Sequence, residues 1–291
     1  MRRMQPGIVI EDSCWFDLAP SGGGAPYRIF LALPKGPAPP GGFPVLYLLD
    51  ANASFATLVE AQRRGAERPA GTGIGPMVLV GIGHPAEGLY DRARRTFDYT
   101  GGPGREAPGD AGMAGSAAAA AGATGGRDGF LAFLLNQLKP AIAARAPVDA
   151  GRQVVVGHSL AGGFVLDVFG RDSAAFAAYV AISPSIWWDE ARLLAGLSQL
   201  RGAPRLSIIV GEWEQQLAPW LKGRPGAEAI AERRARRAMV HRARAFVEQA
   251  RAALAGRGAA EFECLAGEDH ASVVAPALTR ALRFALADAD G

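Results

Sequence analysis

The chain has 291 residues, 49% of them hydrophobic, with 31 basic against 28 acidic residues and a formal charge of +3. That is ample apolar mass for a sizeable core and too little net charge to imply a nucleic-acid partner. The two cysteines, Cys14 and Cys264, stand near opposite ends, which fits neither a disulfide framework nor a metal site, and no cofactor is expected. The opening MRRMQPGIVIEDSCWFDL lacks the apolar stretch and cleavage site of a secretory signal, so a cytoplasmic protein is expected, or a periplasmic one if a leader precedes this numbering. No uncharged apolar run is long enough for a membrane span.

In chain order, Gly7 to Leu33 reads as two alternating strands around the turn-rich Pro20 to Gly24. Short Val- and Ile-rich runs follow at Pro44–Leu49, Met77–Ile82, Gln153–Val156, Ala178–Ile182 and Leu206–Val210, with lengths that favour buried strands. Helical patterns fall at Ala53–Arg64, Asp128–Arg145, Leu160–Phe169, Asp189–Leu200, Ala227–Leu254 and Val273–Ala287. Strand alternating with helix predicts a mostly parallel central sheet with helices on both faces and antiparallel strands at its N-terminal side, an α/β class. One domain over 1–291 is expected, interrupted by a Gly/Ala-rich insertion at about 101–126 that has too few large apolar residues to offset its own ordering entropy. The arginine-rich Ala229 to Arg251 reads as the solvated face of a helix.

The chemistry is carried by RQVVVGHSLAGG, where a buried-strand pattern ends at Gly157 and a helix begins after Ser159. A serine on such a strand-to-helix turn projects its hydroxyl above the sheet, and the small Gly157 and Ala161 let the strained backbone form. The N–H of Leu160, at the helix N-terminus, is the expected oxyanion donor. A second N–H belongs to the loop after PVLYLLD, between Asp50 and Ser54, with Asn52 the chosen residue.

A serine hydroxyl needs a base. Of the four histidines, His158 adjoins the serine and points away from it, His241 lies in the arginine-rich helix, and His84 precedes the serine in the chain. His270, in AGEDHAS after the last strand, satisfies the order serine, acid, histidine and is preferred. For the acid, GEWEQ offers Glu214 first and Glu212 as the alternative, with Asp189 and Asp269 behind them and a Ser-His dyad still open.

Together VLYLLDANASF, VGIGHP, RRTFDYT, GHSLAGGFVLD, ISPSIWW, VGEWEQ and EDHASVVAPAL resemble the putative-esterase family of α/β-hydrolases, in its bacterial siderophore-esterase branch. The resemblance runs from about Trp15 to Leu286 outside the insertion. It implies the α/β-hydrolase fold, nucleophile Ser159, base His270 and oxyanion donors Leu160 and Asn52, and leaves the acid undecided. Ala161 and Ala51 depart from the glycines such relatives commonly carry. The implied activity is hydrolysis of carboxylic esters through an acyl-enzyme, on a small-molecule ester substrate such as a ferric catecholate siderophore of trilactone type. Arg92, Arg95, Tyr99 and Trp187 are the candidate contacts for an anionic aromatic substrate. An acyltransferase using the same serine and a non-catalytic ligand-binding homologue are the rival expectations.

Overall fold

Half-buried and exposed residues form the edge strand β1 (Ser13–Leu18), and buried residues alternating with half-buried ones form most of β2 (Tyr27–Ala32). Runs buried on every residue form β3 (Phe43–Leu49) and β4 (Val78–Gly83). Then come β5 (Val148–His158), β6 (Ala178–Ile182), β7 (Arg205–Gly211) and β8 (Ala259–Leu265). The computed structural model describes residues 9–104 and 124–287. Most of the insertion expected at 101–126 therefore lies outside the described residues.

The eight strands make one sheet in the order β1-β2-β4-β3-β5-β6-β7-β8. β1 with β2 and β2 with β4 pair antiparallel, and all other pairs are parallel. A strand buried on both faces has no solvated side, which is why β3, β4 and β6 are apolar throughout rather than alternating. The chain steps from β3 outward to β4, then returns to the other side of β3 with β5. That reversal opens a crevice at the carboxyl ends of β3 and β5, the place where open α/β sheets bind ligands.

Helices cover both faces. α1 (Ala51–Ala66) packs on one side, followed in the chain by α2 (Arg92–Tyr99), α3 (Arg127–Phe133) and α4 (Lys139–Ala143). α5 (Leu160–Arg171), α6 (Glu190–Gly196), α7 (Ala227–Arg237), α8 (Met239–Leu254) and α9 (Val274–Leu286) follow, and a single helical turn at Pro69–Thr72 lies between α1 and β4. Phe55 and Leu58 of α1 and Leu278 and Leu282 of α9 share one core layer. Phe130 of α3, Phe164 of α5, Leu193 of α6 and Phe246 of α8 share the other.

Two expected helices are revised and one is added. The single helix expected over Ala227–Leu254 is two, broken at Ala238, whose φ is 43° and whose N–H bonds the Arg234 carbonyl. α7 buries none of its residues, whereas α8 buries Met239, Ala243, Phe246, Val247 and Ala250, so only the second half has an apolar face to dock. The helix expected over Asp128–Arg145 passes through a π turn at Leu134–Leu138 just ahead of Pro140, which has no N–H for the regular ladder. α2 is additional. Its visible signal is Asp91, whose side chain accepts the Arg94 N–H at 3.0 Å as an N-cap.

Phe164 is 1% exposed and meets Tyr99 and Phe130 with ring centroids 5.8 and 5.3 Å away, joining α2, α3 and α5. Phe164→Ala is expected to lower unfolding free energy by about 3–5 kcal/mol, read from the urea midpoint at unchanged slope; a loss under about 1 kcal/mol would show that this cluster is not structural core.

Candidate active site

The turn after β5 is tight because the residues beside it are small. A Cβ on Gly157 would lie 2.5 Å from the Ala161 carbonyl oxygen, and one on Gly162 would lie 3.0 Å from the Ile182 carbonyl oxygen. Between them Ser159 adopts φ 60°, ψ −116°, a conformation that costs a non-glycine residue about 1–3 kcal/mol. Main-chain bonds hold it there: its N–H donates to Ile182 and its carbonyl accepts from Gly163 and Ser185. Ala161, the alanine at the elbow, is fully buried.

The Ser159 hydroxyl lies 3.1 Å from Nε2 of His270, and Nδ1 of His270 lies 2.7 Å from Oε2 of Glu214. Glu214 has no exposed side-chain surface, while 42% of the His270 side chain is open. The other carboxylate oxygen of Glu214 accepts from the Ser183 hydroxyl at 2.5 Å and from the Gly211 N–H at 2.6 Å. Glu212, the alternative acid, instead accepts the Gly267 N–H at 2.7 Å. Asp189 caps α6 through the Arg192 N–H, and Asp269 accepts the N–H groups of Ala271 and Ser272. Geometry thus brings Ser159, His270 and Glu214 together and leaves the other acids outside. Gly211 allows this approach, since a Cβ there would lie 2.5 Å from the Glu268 carbonyl oxygen.

Leu160 and Asn52 are first-turn residues of α5 and α1, which begin at the ends of neighbouring strands β5 and β3. First-turn N–H groups have no intrahelical acceptor and sit at the positive end of the helix dipole. Ala51 stands where relatives commonly carry glycine, and the space for it comes from Gly81, whose Cβ would lie 2.6 Å from that of Ala51.

The residues expected to meet substrate divide. Arg95 grips Asp50 with Nη2 to Oδ2 at 2.7 Å and Nε to the same oxygen at 3.2 Å, and the buried Tyr99 gives its hydroxyl to Asp50 at 3.1 Å. Arg92 is exposed at the start of α2. Trp187 is half-buried beneath Arg237, whose guanidinium stands 3.8 Å from its ring. Sequence reasoning missed Ser183 and Ser185: the first holds Glu214, and the second lies with its hydroxyl 3.5 Å from that of Ser159. ISPSIWW is their visible mark, but the positive φ of Ser183 has no sequence signal. A small cavity of about 30 Å³ opens beside Leu160, Gly163 and Ser185. A larger one of about 480 Å³ lies at the opposite ends of β5 to β7, among Arg152, Phe176 and Arg205, and shares no residue with the triad; the chemistry, not the volume, locates the site. Among the described residues no group of three or more His, Cys, Asp or Glu is placed to hold a metal ion, and no helix is long and apolar enough to cross a membrane.

His158 underlies His270. Its Nε2–H donates to the His270 carbonyl at 2.8 Å and the two rings lie 4.7 Å apart. Desolvation, with the neighbouring His270 second, pushes its pKa from 6.5 down to about 3. The unfolded chain therefore binds a proton that the fold does not between about pH 6.5 and 3, and stability falls as the pH is lowered through that window. His158→Asn should flatten the acid limb of the unfolding free energy by up to about 1.4 kcal/mol per pH unit. Identical slopes for wild type and variant would show that His158 is not held neutral.

Comparison with known proteins identifies the family. The family model described as putative esterase matches residues 23–253. A relative from Bacillus subtilis, the ferri-bacillibactin esterase BesA, is 36% identical over 89% of this chain and 84% of its own length. A siderophore enterobactin esterase from Emericella nidulans is 30% identical over 97% of this chain and 95% of its own. Among solved structures, the BES protein from Bacillus cereus superposes with a TM-score of 0.78 at 29% identity, covering 97% of this chain and 99% of that one. With its mostly parallel sheet, helix-clad faces and strand-to-helix serine, the chain belongs to the putative-esterase family and has the α/β-hydrolase fold.

Proposed function

We propose that this protein is a serine esterase that opens the ester bonds of a siderophore, a trilactone of catecholate type, through an acyl-enzyme. The observation that carries the reading is the continuous bond path from Ser159 through His270 to Glu214. Nε2 of His270 takes the proton as Ser159 Oγ attacks the ester carbonyl, and the imidazolium that forms is stabilised by the buried carboxylate behind it. The oxyanion develops between the N–H groups of Leu160 and Asn52, fixed dipoles that need no rearrangement as charge appears. His270 returns its proton to the departing alcohol, and a water activated by the same nitrogen releases the acid. The open face of His270 gives that water access.

The substrate class is supported by the relatives named as ferri-bacillibactin and enterobactin esterases. Arg92 and Trp187 retain surface to meet such a ligand; the Arg95 guanidinium and Tyr99 hydroxyl are engaged by Asp50.

The test is hydrolysis of a short-chain nitrophenyl ester and of a catecholate trilactone. Ser159→Ala and His270→Ala should each reduce kcat by about 10⁴-fold or more, and Glu214→Gln by about 10²–10⁴-fold. Glu212→Gln should stay within a few-fold of wild type. A wild type inert on both substrates would reject the esterase reading, and a trilactone turned over no better than the simple ester would reject the siderophore refinement.

A further inference from the structure

The segment RRTFDYT forms most of α2 and its C-cap Thr100, and its buried side chains converge on the loops at the ends of β3 and β4, with Tyr99 also lining the small cavity beside Leu160 and Ser185. Asp98, 3% exposed, accepts the Tyr27 hydroxyl at 2.9 Å and faces Nε2 of His84 at 3.2 Å. Arg95 and Tyr99 converge on Asp50, which immediately precedes α1 and takes the left-handed conformation with φ 53°. Between these two anchors lies Asn52. Its side chain brackets the main chain of His84, accepting the His84 N–H at 2.9 Å and donating to the His84 carbonyl at 3.1 Å. Gly83 makes the bracket possible, because a Cβ there would fall 1.9 Å from Oδ1 of Asn52.

We propose that Arg95, Asp98 and His84 are positioning residues that act through Asp50 and Asn52 to aim the Asn52 N–H at the developing oxyanion. The inference rests on the esterase reading above and gives α2 a part in turnover rather than in substrate affinity. A backbone donor is only as well placed as the loop that carries it, and an ångström of drift in an aligned donor can cost orders of magnitude in rate. This loop is held from both sides. The Asp50 carboxylate is tied to α2 through Arg95 and Tyr99, and the Asn52 amide is tied to the end of β4 through His84, whose ring is tied to α2 by Asp98. Substrate recognition through the Nε–Nη2 edge of Arg95 would require that edge to leave the buried Asp50 carboxylate it meets through two nitrogens, at the cost of an unpaired buried charge.

Gly83→Ala is the sharpest probe. The atom it strikes is the end of a side chain, so the strand survives while the Asn52 bracket is expelled. Turnover of nitrophenyl acetate should fall about tenfold to a hundredfold with KM within twofold of wild type, and affinity for a trifluoromethyl ketone, which mimics the tetrahedral state, should fall in parallel. The unfolding temperature should move by only a few degrees. Arg95→Ala, which keeps the inference testable should Gly83→Ala fail to fold, should slow a neutral and a negatively charged nitrophenyl ester by the same factor. Wild-type kcat in Gly83→Ala, or a loss in Arg95→Ala confined to the charged ester, would overturn the assignment. A wild type inert on both esters would instead count against the esterase reading itself.

Discussion

The short bond between Glu214 and His270 sets the demands that the surrounding structure meets. A carboxylate with no solvent contact is costly to bury unless donors surround it, and three do: the His270 ring, the Ser183 hydroxyl and the Gly211 N–H. Two of these come from loops at the carboxyl ends of β6 and β7, and the third from the loop after β8. The acid is therefore the point at which three successive parallel strands deliver their loops to one place, and it gives the imidazole a fixed orientation toward Ser159. His158, kept neutral, holds the main chain of the same histidine from below.

Close approach is the second constraint, and glycine is how the chain meets it. Gly157 lets α5 start against the end of β5, Gly81 and Gly83 let α1 settle on β4, and Gly211 lets the acid loop touch the histidine loop. These four positions share one property: a Cβ would strike a neighbouring segment between 1.9 and 2.6 Å away. Gly81 explains why alanine is tolerated at position 51: room is left on the opposite partner, so the pair of residues, rather than either one, determines the spacing.

Much of this was legible from residues alone. Continuous apolar runs identify β3, β4 and β6 because those strands are covered on both faces, and a strand ending in Gly157 ahead of a helix identifies Ser159. Chain order selects His270, and distance past β7 favours Glu214 over Glu212. What was not legible depends on partners far apart in sequence. Arg95 and Asp50 are 45 residues apart, and Asp98 and Tyr27 are 71 apart. Arginine beside tyrosine looks the same in a ligand pocket as in a buried brace; only burial separates the two. The break at Ala238 was likewise hidden, since neither glycine nor proline marks its positive φ.

The central question for this protein is whether Ser159 becomes a covalent nucleophile through His270. The direct measurement is mass spectrometry of the intact protein and its peptides after brief exposure to a fluorophosphonate. The geometry predicts one adduct per chain, on the peptide that carries Ser159, formed in wild type and suppressed by orders of magnitude in His270→Ala. An adduct on another residue, or labelling of Ser159 at an equal rate without His270, would contradict it.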